Sequence, residues 1–245
     1  MDLQNSWAIA TKDFKIFRKK PTVIYASLAL PVVIGIVFPL ILNYSLHRAA
    51  HPLDAAGVES LMDAFSIWFL IGAAIIPTAI ASYSLVGEKV QKSLEPLLAT
   101  PMTDEEILLG KIISALLVPL VAIYAGAVLF MALMDNFTHS LLGFNYYPNW
   151  YVGAILLCTP LVSLLSVELN VIISSRLNDV RSAQQIGSLL ILPFIGLYLA
   201  SEIGIFPFTN TNLLILAGAL FVIDVFLFFA ARATFQREEI LTGWK

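Results

Sequence analysis

The chain has 245 residues, of which 59% are hydrophobic and 13% charged, and its mean hydropathy is +0.86. A soluble domain has about 45–50% apolar and about 25% charged residues, so this composition excludes an ordinary water-soluble fold and points to the bilayer. A net charge of −3 argues against nucleic acid as a partner, and a single cysteine excludes an internal disulfide.

Residues 1–20 read as an amphipathic helix. At about 100° per residue, Leu3, Trp7, Ala10, Phe14 and Phe17 share one narrow face, with Lys12, Lys15 and Lys19 opposite. Such a helix lies flat at the inner membrane interface, apolar side to lipid and basic side to headgroups. The plainer alternative packs it against the rest of the protein. The charged region is long and the next apolar run is full length, so this end reads as retained rather than as a cleaved signal.

A membrane-crossing helix needs about 20 mostly apolar residues. Six stretches qualify: 23–43, 64–86, 112–134, 151–174, 183–201 and 212–231. Prolines 31, 39, 77, 119, 160 and 193 fall within them and are expected to kink these helices without ending them. With the N-terminus inside, 13 of the 14 Lys and Arg residues fall on the cytoplasmic side, and only Arg48 lies outside. The expected fold class is therefore an all-α membrane protein, with a single transmembrane domain over 1–245. It has six transmembrane helices, an N-terminal interfacial helix and both termini cytoplasmic, in the cell membrane.

The outer connections 44–63, 135–150 and 202–211 are short. Asn145-Tyr146-Tyr147-Pro148-Asn149-Trp150-Tyr151 reads as a set of interfacial aromatic anchors. Cys158, inside an apolar run, reads as a small buried hydrophobe. His47, His51 and His139 lack metal-ligand spacing.

The stretch between the second and third apolar runs, 87–106, is charged, contains Pro96 and Pro101 and carries its own leucines. Glu88 and Lys92 stand i, i+4 in the favourable order for a short helix. Leu94, Leu97 and Leu98 make an apolar side. Thr103-Asp104-Glu105-Glu106 reads as a capping box that starts the third long helix before it enters the membrane. The run Glu88-x-x-x-x-Ser93-Leu94-Glu95-Pro96-Leu97-Leu98-Ala99-Thr100-Pro101, continuing through Glu106-Ile107-Leu108-Leu109-Gly110-Lys111, resembles the marker of type-2 ATP-binding-cassette (ABC) transporter permeases, mostly exporters. The passages Ser174–Gln185 and Phe235-Gln236-Arg237-Glu238 are also similar to members of that family. Where many members carry Gly-Thr, this chain has Lys92-Ser93.

The resemblance implies that the chain dimerises with a second permease copy, as a homodimer, and docks on a separate ABC ATPase subunit. It implies that 87–106 is a cytoplasmic coupling helix seated in a cleft of that ATPase. On this reading Leu94, Leu97 and Leu98 make the hydrophobic contact, in a segment shaped by Pro96 and Pro101. Glu88 and Glu95 fix orientation through basic groups on the ATPase. ATP and magnesium belong to the partner, and no catalytic, cofactor or metal residue is expected here. The chain agrees, because Gly110-Lys111 is followed by Ile112 and lacks the upstream glycine of a phosphate-cradling loop. By the same resemblance the substrate passage forms at the dimer interface, with Tyr25, Phe38, Tyr83, Phe194 and Tyr198 as candidate lining residues. Their apolar, aromatic character suits a hydrophobic or amphipathic cargo.

Two acids lie inside apolar runs, Glu168 in the fourth and Asp224 about 18 Å into the sixth. A carboxylate at depth is costly and faces protein or water. Either Asp224 belongs to the substrate path or both acids tie helices together. Ser163, Ser166, Asn170 and Ser174 form an arc on the fourth run, a pattern that more often joins helices than binds ligands. Two rival readings are an ion-coupled secondary transporter using these acids, and a non-transporting membrane scaffold for an ATPase.

Overall fold

The computed structural model describes residues 3–48, 54–90, 100–143, 146–177 and 179–235. Among these the structure is helical, with no strand. Helix α1 covers Leu3–Arg18. The first span combines α2 (Pro21–Val32), a π-helical turn (Val33–Val37) and α3 (Phe38–Arg48). Next come α4 (Ala55–Ser66), α5 (Trp68–Val90), α6 (Asp104–Leu142) and α7 (Trp150–Arg176). The fifth span is α8 (Val180–Ser188) followed by α9 (Ile191–Glu202), and α10 (Asn210–Thr234) is the sixth. Among the described residues six helices are long and apolar enough to cross a membrane, matching the six runs read from the sequence.

Local chemistry explains where the helices start and stop. Asp54, Thr103, Asn149, Asp179 and Thr209 each cap a helix start with a side-chain oxygen. Thr103 and Glu106 form the full reciprocal box. The last turns of α7 and α10 carry Arg176 and Arg232, which complement the negative helix ends. Pro77, Pro119 and Pro160 sit inside continuous helices. The first span widens into its π turn two residues after Pro31. Pro193 departs from expectation: the helix breaks at Leu189–Leu190, and the proline falls in the first turn of the new segment, where its missing N–H costs nothing.

Helix α6 has 39 residues, about 58 Å at 1.5 Å per residue, against about 30 Å of hydrocarbon. The helix is therefore much longer than the apolar layer, and its apolar run 112–134 leaves polar turns toward both ends. Helices α5 and α7 pack centrally, joined where Ser166 Oγ donates to the Ala74 carbonyl at 2.9 Å. Asn170 Oδ1 accepts from Ser82 and Ser174 at 3.1 and 2.9 Å, so the polar arc on α7 joins helices. One core cluster holds Phe69, Phe130, Met134, Tyr147, Ile155 and Phe194; a second, toward α1, holds Ile9, Phe17, Ile80, Ile107, Val171 and Phe235. Cys158 is buried, its thiol donating to the Leu213 carbonyl.

Two further expectations change. Helix α1 packs on α6 through Ser6, Ile9, Ala10, Asp13 and Phe17, leaving Leu3 and Trp7 exposed. The predicted apolar face is thus divided, because a small, partly polar stripe fits closer to a neighbouring helix than tryptophan can. Tyr147 is no interfacial anchor: it is 4% exposed, stacks 5.9 Å from Phe130, and its N–H donates to Asp135. Trp150, by contrast, is exposed.

Candidate functional site

The last turns of α5 and the first turns of α6 flank the segment 91–99. Of the residues predicted there, Leu94, Glu95, Pro96, Leu97 and Leu98 lie outside the described residues, as does Lys92. Pro101 is exposed, two residues before the Thr103 cap. The flanks themselves are held by a buried charge cluster. Lys111 Nζ lies 2.6 Å from Glu88 Oε2, 3.2 Å from Asp13 Oδ2 and 3.1 Å from the Ser84 carbonyl oxygen. Ser84 Oγ and Ser114 Oγ donate to Asp13 Oδ2 at 2.9 and 3.0 Å. Lys12 Nζ closes the set at 2.9 Å from Glu88 Oε1.

Helical spacing assembles this cluster. Ser84 and Glu88 stand i, i+4 on α5, and Lys111 and Ser114 stand i, i+3 on α6, so each helix offers two polar groups from one face. Gly110 lets α1 lie directly on α6. A Cβ there would meet Ile9 Cβ and the Ser6 carbonyl oxygen at 2.7 Å. Lys111, Asp13 and Glu88 are only 1%, 2% and 6% exposed. A lone buried ammonium would be prohibitive. Two lysines facing two carboxylates, with hydroxyls on the remaining lone pairs, make the enclosure tolerable.

The start of α6 is tied further. Asn5 Nδ2 donates to Glu106 Oε2 at 3.3 Å, and Arg232 of α10 pairs with Glu105. Beyond the fourth span, the Ser182 hydroxyl and amide donate to Asp179 at 2.7 and 2.8 Å and hold its carboxyl below the ordinary range.

Glu88 is therefore corrected. Expected to face a partner, it is turned into the chain, because its helix continues from α5 and aims it at Lys111. Lys12 likewise faces Glu88 rather than headgroups. Asp13, Ser84, Lys111 and Ser114 were missed. Their signal was present: Lys111 shares a helical face with apolar Ile107, Leu108 and Ala115, and Asp13 shares one with Ile9 and Phe17. A charge on a buried stripe calls for a partner.

The candidate passage residues do not converge within one chain. Phe38 stacks on Phe65 and Trp68 at 4.7 and 5.8 Å, and Phe194 is buried. Tyr198 packs on the same core, whereas Tyr83 belongs to the other cluster and carries Lys20 over its ring at 4.4 Å. Tyr25 is 71% exposed on the first span. Asp224 is buried, and neither of its oxygens has a hydrogen-bond partner among the described residues. The contact between Cys158 and Leu213 aligns α7 with α10, and the same offset of 55 residues carries Glu168 to position 223, one residue from Asp224. The two acids thus lie level on adjoining helices.

No curated protein matches the chain. The sequence model described as ABC-2 family transporter protein matches residues 7–212, from α1 through the start of the sixth span. With six helices able to cross a membrane and a match over most of its length, the chain belongs to the ABC-2 family of transporter proteins, as a multi-pass membrane permease.

Proposed function

We propose that the chain is the membrane subunit of an ATP-driven exporter, that two copies form the substrate passage, and that a separate ATPase drives them through segment 87–106. The observation that carries this reading is the buried cluster of Lys111, Glu88, Asp13 and Lys12. It holds the end of α5, the start of α6 and α1 together on either side of the leucine-bearing segment. A partner shifts a conformational equilibrium only by its differential affinity for two states. A displacement of 91–99 that let its flanks slip would be wasted, and anchored flanks carry it into spans 2 and 3.

On this reading both termini and the segment are cytoplasmic, in keeping with the distribution of Lys and Arg. Leu94, Leu97 and Leu98 seat in the ATPase and Glu95 orients them, while Glu88 acts inside the permease. ATP and magnesium reside on the partner. Tyr25, on the exposed side of span 1, and Tyr198 are the candidate residues best available to a passage between copies, which favours a hydrophobic or amphipathic cargo. The test is purification of the tagged chain from native membranes in mild detergent, followed by ATP turnover measurements in liposomes. Capture of a nucleotide-hydrolysing subunit by a dimeric chain is expected. A monomer that brings down no such subunit would overturn the proposal.

A further inference from the structure

Spans 1 and 3 pack backbone against backbone at Gly35 and Gly126. A Cβ on Gly35 would lie 2.8 Å from the Gly126 carbonyl oxygen, and one on Gly126 would lie 2.8 Å from Pro31. Only glycine at both positions permits this backbone contact. On the α1 side of it the two helices leave a groove of about 500 Å³. Phe14 of α1 closes one end, Ile24 and Leu28 form one wall, and Leu117, Val121 and Ala125 form the other. Its one polar lining side chain, Ser27, donates its hydroxyl to the Ile24 carbonyl at 2.9 Å and asks nothing of an occupant. Leu28, Val121 and Ala125 are exposed, so the groove opens sideways into the lipid layer.

The mouth of the groove has the opposite character. Arg18 stands one helical turn beyond Phe14 on the same face of α1, and Lys15, one turn before Arg18, stands on the adjoining flank toward the basic face; both are exposed. Asp13, the acid of the described α1 helix, is turned away and bonded to Lys111, so it does not offset them. Trp7 stacks edge-on against Phe14 at 6.3 Å and is itself exposed, as suits a side chain at headgroup level. An apolar trough with a cationic rim matches a molecule with a hydrocarbon tail and an anionic head.

We propose that this groove binds one acyl chain of an anionic phospholipid from the leaflet on the α1 side, with the headgroup phosphate held by Arg18 and Lys15. The lipid completes the surface between α1, span 1 and span 3. It requires only that the chain be in a membrane, and stands whether or not the ATPase reading does.

The test uses the full chain in nanodiscs of equimolar phosphatidylglycerol and phosphatidylethanolamine, released into the gas phase for native mass spectrometry. One retained phosphatidylglycerol per chain is expected. Ala125→Trp, which fills the groove, is expected to lower that retention at least tenfold; Val121→Trp serves if the first variant does not fold. Ala132→Trp, on the same exposed face two turns further along span 3, is expected to leave retention unchanged. Arg18→Ala and Lys15→Ala are each expected to lower the preference for phosphatidylglycerol about fivefold while a phospholipid remains bound. Equal retention of the two lipids, loss with Ala132→Trp as great as with Ala125→Trp, or crosslinks from position 121 to a second copy of the chain in place of lipid would overturn the assignment.

Discussion

Replacing Lys111 by methionine removes a cation that touches both buried carboxylates. Methionine keeps most of the volume, so packing is nearly conserved and the change is electrostatic. Asp13, 2% exposed, then keeps the two serine hydroxyls among the described residues, and Glu88 loses its 2.6 Å partner while keeping Lys12, whose side chain is 41% exposed. Breaking a buried pair in this way costs roughly 3–5 kcal/mol. At about 2–4 °C per kcal/mol for a chain of this size, the melting temperature is expected to fall by roughly 6–20 °C. The triple variant Asp13→Asn, Glu88→Gln, Lys111→Met neutralises both carboxylates as well, and is expected to recover most of that loss, since a neutral interior replacement is often no less stable than the ion pair. Melting of the purified chain, followed by fluorescence-detected size exclusion in one detergent, compares the two. If Lys111→Met melts with the wild type, or the triple variant melts no higher than the single one, charge balance is not what holds α1, α5 and α6 together.

Gly110→Ala is expected to cost about 1–3 kcal/mol, because its Cβ would displace Ile9 and the Ser6 carbonyl; faster proteolysis of α1 would report the displacement. Thr103→Ala removes the acceptor for the Glu106 amide and is expected to cost about 1 kcal/mol, with Thr103→Ser restoring it in the same melting assay. Arg232→Ala is expected to change stability by less than about 1 kcal/mol, since its pair with Glu105 is open to solvent; a larger loss would mean the pair is more enclosed than its exposure implies. Serine at Leu94, Leu97 and Leu98 together is expected to leave a folded chain whose transport no longer follows ATP turnover, and transport at the wild-type rate in reconstituted vesicles would dismiss those leucines as the contact.

The six spans were legible because each is a contiguous apolar run, and hydropathy reads contiguous runs well. The start of α6 was legible for a similar reason: Thr103 and Glu106 are three residues apart. What escaped was long-range. Asp13 and Lys111 are 98 positions apart, and no local pattern pairs them. The direction of Glu88 escaped because an i, i+4 neighbour at Lys92 offered a local explanation for its charge. Tyr147 escaped because the aromatic residues of its loop look alike in sequence, while only the fold decides which of them turns in toward Phe130. The break at Leu189–Leu190 lies four residues before Pro193, where the sequence shows only leucines.

The close contact at Gly126 gives the long third helix a fulcrum. About 33 Å of α6 lies between Asp104 and that point, and about 24 Å between it and Leu142. An unbroken helix rocking there behaves as a seesaw. Sideways travel at the capped end reappears at the far end in the opposite sense and about seven-tenths as large, by the ratio of the two arms. Opening on one side of the bilayer and narrowing on the other would then be a single movement of one rod.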